Sequence, residues 1–197
     1  MRERPRYIAS YRDKRSIRKD AFLLRNRLGL DGEFYVPILP ILELVLPPIY
    51  PKYSFEVVED RELKGRFAET DLSTGAIRVR ESVYSAAEAG NYKARMTLAH
   101  ELGHFVYHTS DRIQYAQLDT EQPIPINVNP EWQADYFAAC FMIPHKLTGH
   151  MDEREIASRC GVSFAAARRH IQERTSIKNR HARKRSSATK SKTQLPK

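Results

Sequence analysis

The stretch that decides the reading of this chain is Thr97-Leu-Ala-His100-Glu101-Leu-Gly-His104-Phe-Val-Tyr-His108. It closes a segment, Tyr92 to His108, that is predicted to form a helix of about four turns. On a helix, positions i and i+4 stand one turn apart on the same face. His100 and His104 can therefore each aim a ring nitrogen at one metal ion. Glu101 sits beside them, where it can reach a water held there rather than the ion itself. His108 lies one further turn along, its nitrogen about 6 Å beyond that of His104. It is read as a helix-end residue supporting the site rather than as a ligand.

The next helix downstream supplies a candidate third ligand. Asn129 is a good N-cap and Pro130 suits the first helical position, so a helix is expected from Pro130 to about Ile143, before Pro144. It opens Asn129-Pro-Glu131-Trp-Gln-Ala-Asp135, an E-x-x-x-D pair one turn apart. In zinc peptidases resembling thermolysin, the glutamate of such a pair binds the metal. The aspartate accepts a hydrogen bond from the far nitrogen of a ligand histidine and fixes its tautomer. Glu131 and Asp135 match both parts. The plainer alternative, two surface acids on an amphipathic helix, loses weight downstream of H-E-x-x-H. A third histidine at the metzincin spacing would fall at position 110, which is Ser110.

Upstream, Ile17, Ala21, Leu24 and Leu28 form one apolar stripe, predicting a helix over about Ser10–Leu28 that Gly29 and Gly32 stop. A short helix over Ile38–Leu46 is expected to end before Pro47-Pro48. Ser54–Glu59, Arg66–Glu69 and Ala76–Arg80 read as strands, the last two joined by a turn at Asp71–Gly75. A loop over Thr109–Val128 leads into the Pro130 helix, and two shorter helices are expected at roughly 152–160 and 163–173. The fold class is α+β: a small antiparallel sheet against which metal-binding helices pack, with a helical pair at the C-terminal end.

Charge is segregated along the chain. Of the net +9, residues 1–27 carry ten Lys/Arg against three acids and residues 178–197 carry eight against none, while 28–177 carry fifteen against twenty-one. The basic ends thus flank a mildly acidic body, which argues against a globally basic binding face. Weak nucleic-acid binding through the ends is the expectation that remains. Cys140 and Cys160 are too few and too far apart for a disulfide framework and are expected to be free thiols. The first residues have no apolar stretch behind them and do not read as a secretory leader. The apolar run Phe34–Ile49 is broken by four prolines and Glu43, so no bilayer span is expected. A cytoplasmic location is expected.

At this point the sequence resembles the ImmA/IrrE family of metallo-endopeptidases. The likeness rests on Leu98-Ala-His-Glu-Leu-Gly-His104 followed by His108, and on Glu131-Trp-Gln-Ala-Asp-Tyr-Phe-Ala-Ala-Cys-Phe-Met-Ile-Pro144. It covers roughly residues 15–172 and omits both basic ends. Cys140 departs from the acidic residue expected there and should lie on the helix away from the metal. The resemblance implies a Zn2+-dependent endopeptidase with a zincin-like domain. Its ligands would be His100, His104 and Glu131, with Glu101 as proton acceptor and donor and Asp135 holding a ligand histidine. It also implies a protein substrate, a DNA-binding transcriptional repressor whose cleavage derepresses stress or mobile-element genes. The implied organisation is a basic N-terminal extension (1–14), the peptidase domain (15–150), a helix-turn-helix-like pair (151–176) and a disordered basic tail (177–197). Tyr107, Tyr115, His145 and His150 are unranked candidates for stabilising the oxyanion.

A second pattern competes for the function. Glu155-Ile-Ala157-Ser-Arg-Cys-Gly161-Val-Ser163-Phe-Ala-Ala-Ala167-Arg-Arg-His-Ile171 fits a helix-turn-helix, with Arg168 and Arg169 where a DNA-reading helix carries its contacts. On that reading the chain is a transcriptional regulator with a structural or vestigial metal site. Three ligands beside one base make an open arrangement, however, whereas structural zinc sites are normally closed by four protein groups. That favours the enzyme. The tail from Lys178 has almost nothing apolar to bury. A chain ending at Ser176 is accordingly expected to melt at the wild-type temperature, and a clear drop in thermal denaturation would contradict this.

Overall fold

The computed structural model describes residues 7–109, the backbone of 113–114, and 123–177. The tail from Lys178, Tyr115 and most of the Thr109–Val128 loop lie outside them. In chain order the elements are β1 (Ile8–Ala9), α1 (Lys14–Arg27), α2 (Ile38–Pro40), a π turn (Ile41–Val45), α3 (Leu46–Ile49), β2 (Phe55–Val58), β3 (Ala68–Thr70), β4 (Ile77–Arg80), α4 (Glu81–Glu88), α5 (Tyr92–His108), β5 (Ile113–Gln114), a 3-10 turn (Ile126–Val128), α6 (Pro130–Met142), α7 (Glu153–Cys160) and α8 (164–177). The architecture is α+β, a small open sheet packed against helices with a C-terminal helix pair. Among the described residues, no helix is long and apolar enough to cross a membrane.

The sheet has the order β2-β4-β3. β3 pairs antiparallel with β4 through the Asp71 turn, while β2 pairs with β4 in parallel. The turn follows from local chemistry. Asp71 accepts from the Ser73 and Thr74 amides, and Gly75 takes φ +81°, a conformation that suits glycine. Ile77 and Val79 of the central strand are fully buried beneath α5. Arg78, between them, faces out and pairs with Glu62 at 2.8 Å and Glu69 at 3.3 Å. A separate two-stranded pairing joins β1 to β5, Ile8 opposite Gln114.

The prolines at 47 and 48 do not end the second helical stretch; they continue it through α3. The preceding turn is π, with the Leu46 amide bonded to the Ile41 carbonyl. In that register Pro47 has no N–H to offer the Leu42 carbonyl, and the Tyr53 hydroxyl donates to it instead at 2.9 Å. The helix α4 has no counterpart in the sequence reading. Val83 and Ala87 are its only buried residues, too short a stripe to be distinctive.

The helices α5 and α6 are the centre of the molecule. Asn91 caps α5 by accepting from the Lys93 and Ala94 amides, and Asn129 caps α6 by accepting from Trp132. Gly103 is where the two meet: a Cβ there would lie 3.0 Å from the Ala134 Cα and 3.2 Å from the Phe137 ring. Two buried arginines fasten the outer elements to this pair. Arg25 of α1 donates to the Phe141, Leu30 and Glu33 carbonyls. Arg95 of α5 donates to the Val36 and Gly161 carbonyls at 2.8 Å each, with Tyr35 stacked on its guanidinium. Gly161 is left-handed at φ +61°, and a side chain there would collide with Arg95. The α7–α8 turn is thereby pinned to α5.

Overpacking a close helix contact costs about 1–3 kcal/mol, more than the fraction of a kcal/mol that valine gains over glycine in helix propensity. Gly103→Val is therefore expected to lower the melting temperature by several degrees and to weaken metal uptake. Unchanged values in both measurements would show that α5 and α6 have slack.

Candidate metal centre

His100 and His104 project from one face of α5, and Glu131 reaches them from the first turn of α6. The His100 and His104 Nε2 atoms are 3.0 Å apart, and each lies 3.5 Å from an oxygen of Glu131. Among the described residues these three groups form a cluster that could hold a metal ion. The donor set fits zinc: four ligands at the usual bond lengths around a tetrahedral ion stand about 3.4 Å from one another. Three protein donors leave one position open. Exposure differs across the cluster: the Glu131 side chain is 39% exposed and that of His104 9%.

Asp135, one turn beyond Glu131, accepts from His100 Nδ1 at 2.8 Å, which leaves Nε2 facing the cluster. Glu101 is buried, and the Thr70 hydroxyl meets its Oε2 at 2.7 Å. Thr70 ends the edge strand β3, so the sheet reaches the centre through this side chain. Behind His104 stands His108, fully buried, with its Nδ1 3.0 Å from that of His104. His108 is thus in contact with a cluster histidine and outside the cluster itself.

Of the other sequence candidates, Tyr107 bonds Asp20 of α1 and lies under the Arg12 guanidinium, and His145 packs edge-on to His170. Arg168 is bonded to Glu153 at 3.1 Å on the exposed side of the helix pair, and Arg169 is exposed. Cys140 and Cys160 are free thiols, and Cys140 lines a pocket of about 210 Å³ between α1 and the end of α6. Thr70 and Gln133 went unnoticed in the sequence. A threonine at a strand end and an amide inside an apolar helix carry no spacing signal.

The sequence profile described as the IrrE N-terminal-like domain matches residues 66–172, more than half of the chain. The chain belongs to the IrrE N-terminal-like peptidase family. The match bears out the ImmA/IrrE resemblance and contains the whole cluster together with Thr70, Glu101 and Asp135. Family membership and the His/His/Glu cluster together support a metallopeptidase. Among curated proteins none matches significantly. A solved structure described as a Mycobacterium tuberculosis transcriptional regulator is similar at 16% identity, over 77% of this chain and 53% of that one, with a TM-score of 0.49. The chain therefore spans about half the length of that protein, and the likeness is too slight to bear on function.

Electrostatically the two histidines of the IrrE-type centre are driven apart. Burial opposes charge on His100, but the bonds to Asp135 and Glu131 outweigh it and hold its pKa up at about 10. Burial pushes His104 down to about 3, and the neighbouring histidines add to the effect. The His100 bond holds Glu131 below the ordinary carboxylate range. At neutral pH one proton accordingly sits on His100 where a cation would bind, and a metal ion entering the cluster would have to displace it. Uptake is expected to release about one proton per ion at pH 7, and apparent affinity is expected to rise about tenfold per pH unit from 6 to 9. Calorimetry in buffers of different ionisation enthalpy measures the release; a value near zero would mean that His100 is neutral without metal.

Proposed function

We propose that the chain is a zinc-dependent endopeptidase that cleaves a DNA-binding repressor protein. His100, His104 and Glu131 would hold the ion, and Asp135 would keep His100 in the ligating tautomer. When bound, zinc supplies Lewis-acid polarisation of the peptide carbonyl and lowers the pKa of water. Glu101 takes the proton from the attacking water and returns it to the leaving amine. The observation that carries this reading is the placement of Glu101. Burial raises its pKa, and the Thr70 hydroxyl holds it in one place beside an incomplete ligand set. A carboxylate whose pKa burial raises, held in place beside the ligands, is suited to both halves of a proton transfer. A structural zinc site has no use for it.

The sheet supports a peptide substrate. β3 is an edge strand of its sheet and ends at Thr70, against Glu101. An extended chain adding to that edge through backbone hydrogen bonds would carry its own peptide groups past the base. The repressor as substrate class rests on the family reading. The competing DNA-binding reading draws less support, because Arg168 is engaged by Glu153 and the α7–α8 turn is held from inside by Arg95.

Glu101→Gln keeps the shape and removes only the proton transfer. It is expected to retain one zinc per chain and to lose cleavage by a factor of about 10²–10⁴. Recovering the protein that this inactive variant traps in its host, and cleaving it with the wild type, tests the reaction and the substrate class together. Replacing Arg168 and Arg169 with alanine is expected to leave that cleavage unchanged. Sequence-specific duplex binding that depends on those two arginines, with no proteolysis of any trapped protein, would overturn the reading.

A further inference from the structure

The contacts behind His104 form a chain with a definite direction. The Gln133 side chain is fully buried, and its amide nitrogen lies 2.8 Å from the Ser10 carbonyl and 2.8 Å from the Asn127 carbonyl. Two carbonyls can only accept, so this end of the side chain is the NH2 and the other end is the oxygen. That oxygen, Oε1, lies 3.1 Å from His108 Nε2. An oxygen of this kind only accepts, so Nε2 of His108 carries the proton. A neutral imidazole with its proton on Nε2 presents a lone pair on Nδ1. His108 Nδ1 is 3.0 Å from His104 Nδ1, and the proton in that contact therefore belongs to His104. His104 is left with a lone pair on Nε2, the atom that faces His100 and Glu131.

We infer that Gln133 and His108 are positioning residues that set the tautomer of His104, and that the chain's own N-terminal segment, through Ser10, is part of the metal-site scaffold. The inference rests on the metal-binding reading above and adds to it the device that presents His104 to the ion. His100 has a carboxylate for this purpose; His104 has a histidine and an amide. The difference follows from position. Asp135 is exposed and its charge is solvated, whereas the space behind His104 is buried, where an unneutralised carboxylate would be costly. A neutral relay ending on two backbone carbonyls avoids that cost. It also links the centre to two distant parts of the chain. Arg12 donates its amide to the same Asn127 carbonyl at 2.9 Å, and Tyr7 packs edge-on to His108 with ring centroids 6.1 Å apart. Segment 7–12 thus lies against the back of the site.

The tautomers can be read directly in metal-free protein by long-range proton–nitrogen NMR of the histidine rings. The expected spectrum has His108 protonated on Nε2 and His104 on Nδ1, the form that neutral histidine in water disfavours. Zinc affinity by chelator competition gives a second readout. Gln133→Leu and His108→Leu are each expected to weaken zinc about 10–100-fold, the usual effect of losing a ligand's hydrogen-bond partner. His108→Asn places a carbonyl oxygen where Nδ1 was and is expected to recover most of the loss. A role in packing alone would instead make the smaller asparagine no better than leucine. His104 protonated on Nε2, or His108→Asn binding zinc as poorly as His108→Leu, would overturn the relay while leaving the metal reading intact. A wild-type protein that takes up no zinc would overturn both.

Discussion

The close approach of α5 and α6 at Gly103 is the constraint on which the site depends. With no side chain at that position, the Ala134 backbone comes within about a van der Waals contact of α5. Phe137 and Phe141 then pack behind the crossing, stacked with ring centroids 5.6 Å apart. A wider spacing would move the whole first turn of α6 outward, and Glu131 with it. The metal cluster is therefore a by-product of helix packing, assembled from two rigid elements and needing no loop to hold a ligand. The N-terminus of α6 adds its own contribution: a carboxylate in the first turn sits at the positive end of the helix dipole.

Around that crossing, burial and charge divide the titratable groups into opposites. Neighbouring histidines one turn apart are driven in opposite directions, His100 toward the charged form and His104 toward the neutral form. The cause is burial and partner chemistry. His100 meets Asp135 and Glu131, whereas His104 is more deeply buried and has two histidines beside it as well as Glu131. Glu101, only one residue from His100, is shifted toward its neutral form by burial even though the His100 charge and the Thr70 hydroxyl both favour the anion. Three ionisable residues within two turns of one helix are thus shifted in different directions by their surroundings.

What could be read in advance was whatever local chemistry dictates. The start of α6 follows from Asn129 and Pro130, and the Asp71 turn joins β3 to β4 where its residues demand. Glu131 and Asp135 were legible because a helix converts a four-residue spacing into a shared face. The parallel pairing of β2 with β4 was not legible, since nothing in either strand records which direction its partner runs. Pro47-Pro48 suggested a break because a proline lacks a donor. The remedy, a hydroxyl from Tyr53, lies beyond the helix that contains them. Thr70 and Gln133 reach their partners across 31 and 25 residues of chain, and at such separations periodicity is silent.

Arg95 bears on how this architecture can be taken apart. The residue is 1% exposed and its hydrogen bonds run to backbone carbonyls, those of Val36, of Cys160 at the end of α7 and of Gly161 in the turn that follows. A main-chain carbonyl belongs to no particular side chain, so the joint depends on the path of the backbone, and that path in turn requires glycine at 161, where a side chain would meet Arg95. The C-terminal helix pair is consequently a poor candidate for grafting or excision. Severed before Glu153, the remaining body would keep a permanent cation facing a vacated surface, on the same helix that carries both histidines of the cluster. Whatever tugs at the turn, be it a partner protein or a crosslink, pulls on α5.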